Sequence, residues 1–142
     1  MDIALVVPLT PGDGQSLDNF GHAVDMDGST AVIGAPYADL GGNPDQGAAY
    51  VFEYNGSAWT QVAKLLASDT AYQDRFGISV AISGDVALVG AWADDDGATQ
   101  TGSAYVFEKP AGGWSDMTET AKLNAWDAAA GDHFGWAVSI NG

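Results

Sequence analysis

Val24 and Met26 alternate with small or polar neighbours, as do Val80 and Ile82 further along, which is the period-two pattern of a strand with one buried face. Each segment ends in a tight-turn pair, Gly28-Ser29 or Gly84-Asp85. A short continuous apolar run follows, Ala31-Val32-Ile33-Gly34-Ala35 or Ala87-Leu88-Val89-Gly90-Ala91, and predicts a second, more deeply buried strand. Loops rich in Gly, Asp, Asn and Thr come next, Asp39 to Gly47 and Ala93 to Gly102, where the backbone needs positive φ or a side-chain cap. A third strand is predicted from Ala49 to Tyr54, closing on Asn55-Gly56, the strongest hairpin signal in the chain, and a fourth from Trp59 to Leu66. No helical stretch separates them.

The pattern repeats. Phe20-Gly21, Phe76-Gly77 and Phe134-Gly135 are 56 and 58 positions apart, and the nine residues from each Phe align without a gap. Ala49-Tyr50-Val51-Phe52-Glu53 matches Ala104-Tyr105-Val106-Phe107-Glu108, Trp59 matches Trp114, and Lys64-Leu65 matches Lys122-Leu123. The loop after Pro36 is one residue longer in the first copy and the Trp-to-Lys segment three longer in the second, which accounts for the difference in spacing. Four antiparallel strands per unit predict an all-β fold built of β-propeller blades, with about two and a half repeats in this chain. The units are a partial blade over 1–19 (terminal strand and exit loop), blades over 20–75 and 76–133, and the first strand of a further blade over 134–142. Pro8 to Phe20 lies over Lys64 to Phe76, whereas Asp2 to Val6 is similar to Asp85 to Val89, so the first ten residues have two registers open to them.

Phe20-Gly21, the alternating strand and Gly34-Ala35-Pro36 together resemble the FG-GAP repeat of the integrin α-subunit propeller and of many bacterial surface and secreted proteins. The second copy keeps Phe76-Gly77 and Gly90-Ala91 but has Trp92 in place of the proline, and the segments Gly47 to Phe52 and Gly102 to Phe107 resemble the bacterial branch. The resemblance implies a propeller that binds or adheres, outside the cell or on its surface. Many members carry a calcium loop, Asp-x-Asp-x-Asp-Gly-x-x-Asp, between the first two strands. Here the first copy offers Asp25 and Asp27 and the second only Asp85. Calcium takes about six to eight oxygens, so neither turn completes a family-type site unaided. No other cofactor is implied.

Charge narrows the partners. Four Lys and Arg against 19 Asp and Glu give −15, which excludes a nucleic-acid partner and disfavours an anionic membrane surface. With no cysteine there is no disulfide scaffold, thiolate zinc site, iron–sulfur cluster or cysteine nucleophile. The apolar run Ile3 to Leu9 follows Asp2 rather than a basic cluster and is too short to span a bilayer, so no targeting or membrane-inserted segment is expected.

The densest acidic feature, Asp94-Asp95-Asp96 before Gly97, is either a divalent-cation site at a loop tip or a solvated acidic turn; Asp39 and Asp45 lie in the corresponding first-copy loop. Asp69 and Asp74 recur as Asp13 and Asp18 and as Asp127 and Asp132, which predicts a scaffold role, such as capping loop amides. His22 and His133 fall at different positions in their units, and no hydrolase signature or phosphate loop is present. Trp59 and Trp114 are repeat-equivalent and are expected to pack between sheets. Trp92, Trp126 and Trp136 instead have Pro36, Ser68 and Ile78 as counterparts, so they are candidates for a stacking surface facing a sugar or a protein, or else fill gaps between blades. Asn55-Gly56-Ser57 matches a glycosylation sequon but sits at a hairpin tip for turn reasons.

A propeller ring needs at least about four blades, and open sheet edges invite pairing. Two outcomes are therefore expected: the remaining blades lie in a longer chain, or copies of this chain form a homo-oligomer through their terminal strands. The function expected is a non-catalytic binding or adhesion-type module recognising protein or glycan. The alternatives are a fragment of a larger secreted enzyme carrying a propeller, and a structural remnant without a ligand.

Overall fold

The computed structural model describes residues 8–96 and 98–142. Its strands are β1 (Ala23–Asp27), β2 (Thr30–Ala35), β3 (Ala48–Tyr54), β4 (Trp59–Leu66), β5 (Ser79–Ser83), β6 (Val86–Ala91), β7 (Ser103–Glu108), β8 (Met117–Thr118) and β9 (Ala121–Leu123), with no helix among the described residues. They form two sheets, in the orders β1-β2-β3-β4-β8 and β5-β6-β7-β9. The fold is all-β, two neighbouring blades of a β-propeller. Both first hairpins turn on a glycine in the left-handed region, Gly28 (φ 57°) and Gly84 (φ 56°), which lets Asp27 pair with Thr30 and Ser83 with Val86.

The main core lies between the blades, where Val32, Val51 and Leu65 of blade 1 meet Val80, Ile82, Val89, Tyr105 and Phe107 of blade 2. A smaller core on the far face of blade 1 gathers Ile33, Tyr50 and Phe52 under Leu9, Phe20 and Trp59.

The repeated motifs have physical causes. Phe76 packs edge-on against Tyr105 and Phe107, at 5.3 and 5.9 Å between ring centres, and Phe20 does the same with Tyr50 and Phe52 at 5.6 and 5.9 Å. The glycine after Phe76 donates its N–H to Gly90 within blade 2, while its carbonyl presses on Gly34 of blade 1 so closely that a Cβ there would lie 2.0 Å from the oxygen. Gly135 meets Gly90 in the same way, at 1.9 Å. Each blade thus sits on its predecessor through glycine-on-glycine backbone contact.

Three expectations are corrected. Val24 and Met26, predicted to face a core, are 63% and 61% exposed, whereas Val80 and Ile82 are buried. The latter pair has blade 1 against it, and no sheet covers that face of blade 1 among the described residues. The fourth strand of the second unit is split, because its longer Trp-to-Lys segment becomes a strap. Met117 and Thr118 cross over to pair in parallel with Leu65 and Leu66, leaving only Ala121–Leu123 on β7. Asp116 and Glu119 tie the strap down by accepting the amides of Lys64 (2.8 Å) and Ser68 (2.9 Å), so a sheet edge is covered. Finally, residues 134–142 form no strand. A first strand takes its ladder from a second strand beside it, and here only the single bridge from Phe134 to Gly102 is made among the described residues. The register of Asp2 to Val6, and Gly97, lie outside the described residues.

Candidate functional site

Because the strands run alternately up and down, all β2–β3 loops and all blade-to-blade connections gather at one end, and the hairpin turns at the other. The first end is held by repeated carboxylates. Asp18, Asp74 and Asp132 accept the amides of Gln15 (2.8 Å), Ala71 (2.6 Å) and Ala129 (2.7 Å), each three residues earlier. These caps turn the chain so that the residue before each Phe-Gly adopts left-handed backbone: Asn19 (φ 55°), Arg75 (φ 57°) and His133 (φ 56°).

That conformation brings the two later residues into an aromatic ridge. The Arg75 guanidinium lies between Tyr37 and Trp92, 5.1 and 5.2 Å from their ring centres. His133 packs edge-on against Trp92 at 4.6 Å, and Trp136 against Trp92 at 5.2 Å. Trp92 and His133 are half-buried and Trp136 is 59% exposed at the ridge tip. Of the three candidate tryptophans, therefore, Trp92 and Trp136 come together. Trp126 stands apart, 96% exposed, in the loop leaving blade 2. Trp114 is buried between the sheets, while Trp59 lies half-buried on the far face of blade 1 beside Tyr54. The sequence pattern singled out neither Tyr37 nor Arg75 and left His133 as an unmatched histidine; the signal for Arg75 and His133 was positional, since both precede Phe-Gly.

The acidic loop is divided among separate tasks. Asp95 accepts the amide of Gln100 (2.6 Å), as Asp39 accepts that of Asp45 (3.0 Å) in blade 1. Asp94 is buried and accepts from Ser103, and Asp96 accepts from Asn124 at 2.7 Å. Lys122 closes the group, its ammonium 2.5 Å from Asp69, 2.9 Å from Asp94 and 3.1 Å from Asp96. With Ala71, Tyr72, Asp74 and Asp95 these residues line a cavity of about 380 Å³. Burial would lower the lysine pKa, but the hydrogen bonds to Asp69, Asp94 and Asp96 raise it. For Asp69 burial is likewise outweighed, and hydrogen bonds from Lys122 and Tyr105 hold its carboxyl below the usual range. Asp74 is pushed up to about 6, by burial first and then by the charges of Asp94, Asp69 and Asp95, against the lowering hydrogen bond from Ala71.

At the candidate calcium turn, the Asp25 and Asp27 carboxylates accept the amides of Ile82 (2.8 Å) and Gly84 (2.7 Å), so they join blade 1 to the innermost strand of blade 2. Among the described residues no group of three or more His, Asp or Glu side chains is arranged to hold a metal ion. His133 packs edge-on against Trp92 and tilted against Trp136.

Two blades stacked through a Phe-Gly to Gly-Ala contact, with their loops gathered at one end, define a β-propeller repeat module. The FG-GAP repeat family profile matches residues 4–52, 59–107 and 117–142, and the chain belongs to this family. No curated protein matches the sequence. Among the described residues no helix is long and apolar enough to cross a membrane.

Proposed function

We propose that this chain is a non-catalytic binding module of the adhesion type, acting outside the cell or on its surface and recognising a protein or glycan through the loop end of its blades. One observation carries the reading: Trp92 and Trp136 meet at 5.2 Å, and Trp136 projects from that end while His133 and Arg75 hold its neighbour in place. A pre-positioned, part-exposed indole offers stacking area without an ordering cost on binding. The exposed Val24 and Met26 call for further blades, from a longer chain or from copies of this one, to complete the ring.

The test is binding of the full chain to immobilised glycan panels and immobilised cell-surface proteins, comparing wild type with Trp136→Ala. Loss of at least about tenfold in affinity, with the melting temperature kept, is expected of an aromatic anchor. Undiminished binding by Trp136→Ala would refute the assignment.

A further inference from the structure

The chain holds four cationic side chains against 19 acidic ones, and the three lysines are all paired. Lys64 meets Asp13, Lys109 meets Glu53 at 3.3 Å, and Lys122 meets Asp69, Asp94 and Asp96. Arg75 is the exception. Its guanidinium makes no ion pair and no side-chain hydrogen bond among the described residues, and its Nε is buried with no acceptor. Carboxylates are not in short supply, yet those nearest in sequence are turned elsewhere. Asp74, the residue before Arg75, accepts the Ala71 amide at 2.6 Å, and Asp132, before His133, accepts the Ala129 amide at 2.7 Å.

Arginine is the side chain best shaped to grip a carboxylate, through a planar fork of N–H donors. Here Tyr37 and Trp92 hold that fork from two sides, at 5.1 and 5.2 Å, which fixes its position and leaves its donors without an oxygen. An unsatisfied donor in a folded protein calls for an explanation, and a missing ligand is one. Trp92 touches Trp136 as well. Two contacts of 5.2 Å in series put the guanidinium carbon and the exposed Trp136 ring within about 10 Å of each other. Two linked sugar rings span that distance, and the flat C–H face of a sugar suits an exposed indole.

We propose that the ligand of the ridge is a glycan bearing a single carboxylate, a sugar acid of the uronic type, whose carboxylate takes the Arg75 fork while the adjoining sugar ring stacks on Trp136. The net charge of −15 argues for one negative group and no more. An acidic peptide or a densely sulfated polymer would set many repulsions against one free cation, whereas a single carboxylate matches a single unpaired arginine. The rings that hold the fork lower the ordering cost of binding. This inference rests on the ridge of the proposed function and narrows it to one class of ligand.

The experiment is calorimetric titration of the full chain with a disaccharide ending in glucuronic acid, with the methyl ester of the same disaccharide, and with a short oligoglutamate peptide. The acid should bind at least about tenfold more tightly than its ester, as a charge-assisted forked hydrogen bond requires, and the preference should shrink in high salt. In Arg75→Gln the ratio of the two affinities should fall to near one. Arg75→Lys keeps a cation against the rings and gives a second reading should Arg75→Gln unfold: the ratio should drop severalfold, because an ammonium lacks the fork. Equal affinity for acid and ester, no binding of either, a preference that both Arg75 substitutions leave intact, or tighter binding of oligoglutamate would each overturn the inference. Acid and ester bound equally, and both lost in Trp136→Ala, would overturn it while leaving the proposed function standing; sugar binding indifferent to Trp136→Ala would defeat both.

Discussion

Gly34→Ala isolates the contact that joins the blades. The added methyl would lie 2.0 Å from the Gly77 carbonyl oxygen and 2.9 Å from its carbon. Ordinary contact begins at 3.4 Å, so the two backbones must part by about 1.4 Å there. Neither can yield alone, since Gly77 is hydrogen-bonded to Gly90 and backed by the Ala48 carbonyl. The φ of Gly34 is not left-handed, so the cost is steric rather than conformational. Overpacking costs about 1–3 kcal/mol, and a gap of about 0.5–1 Å already forfeits a quarter to a half of each dispersion contact across the core. Together these give about 3 kcal/mol, and at roughly 3–4 °C per kcal/mol for a chain of this size the melting temperature should fall by about 10 °C. Two controls separate the causes. Gly112→Ala has open space and ordinary φ and should stay within about 0.5 kcal/mol of wild type. Gly28→Ala also has open space but sits at φ 57°, and should cost about 1 kcal/mol. Calorimetry and urea unfolding of all three read the series. A Gly34→Ala protein no less stable than Gly28→Ala would refute the account of the blade contact.

Asp74, with its pKa pushed up to about 6 from 3.8, binds its proton more readily folded than unfolded, so between these values stability falls as pH rises. Wild type should therefore gain stability on acidification from pH 7 towards 5, and Asp74→Asn should lose that gain; parallel melting curves for the two would contradict the burial argument. Lys122→Met leaves Asp69, Asp94 and Asp96 without their shared counter-charge and, with only Asp94 of the three buried, should cost about 1–3 kcal/mol at neutral pH, recovering as the carboxyls protonate. Lys64→Met, which frees Asp13 alone, should cost less in the same urea titrations. Equal losses would show that the crowding of carboxylates around Lys122 has no energetic weight.

Much of the site frame was legible because the repeat states each position two or three times. The capping role of Asp18, Asp74 and Asp132 could be read from recurrence alone, since an amide three residues back is a local partner. The ridge was not legible, because Tyr37, Arg75, Trp92 and His133 come from four separate connections and meet only when two blades stack. Nor could composition divide the tasks of Asp94, Asp95 and Asp96, which depend on whether each side chain turns inward to Ser103 and Lys122 or along its own loop.

The sequence by itself determined the strands β1 to β4, their hairpin turns, the unit that repeats and the aromatic and glycine motifs, since period-two burial and turn chemistry act over a few residues. Only the tertiary structure decided that Val24 and Met26 are exposed while Val80 and Ile82 are buried, that part of the last strand of the second unit crosses to blade 1, and that 134–142, joined to blade 2 by the Phe134–Gly102 bridge, forms no strand among the described residues. The physical reason is common to all three. A strand's inner and outer faces, and its hydrogen-bonding edges, are completed by whatever stands beside it, and repeat-equivalent segments take different states when their neighbours differ.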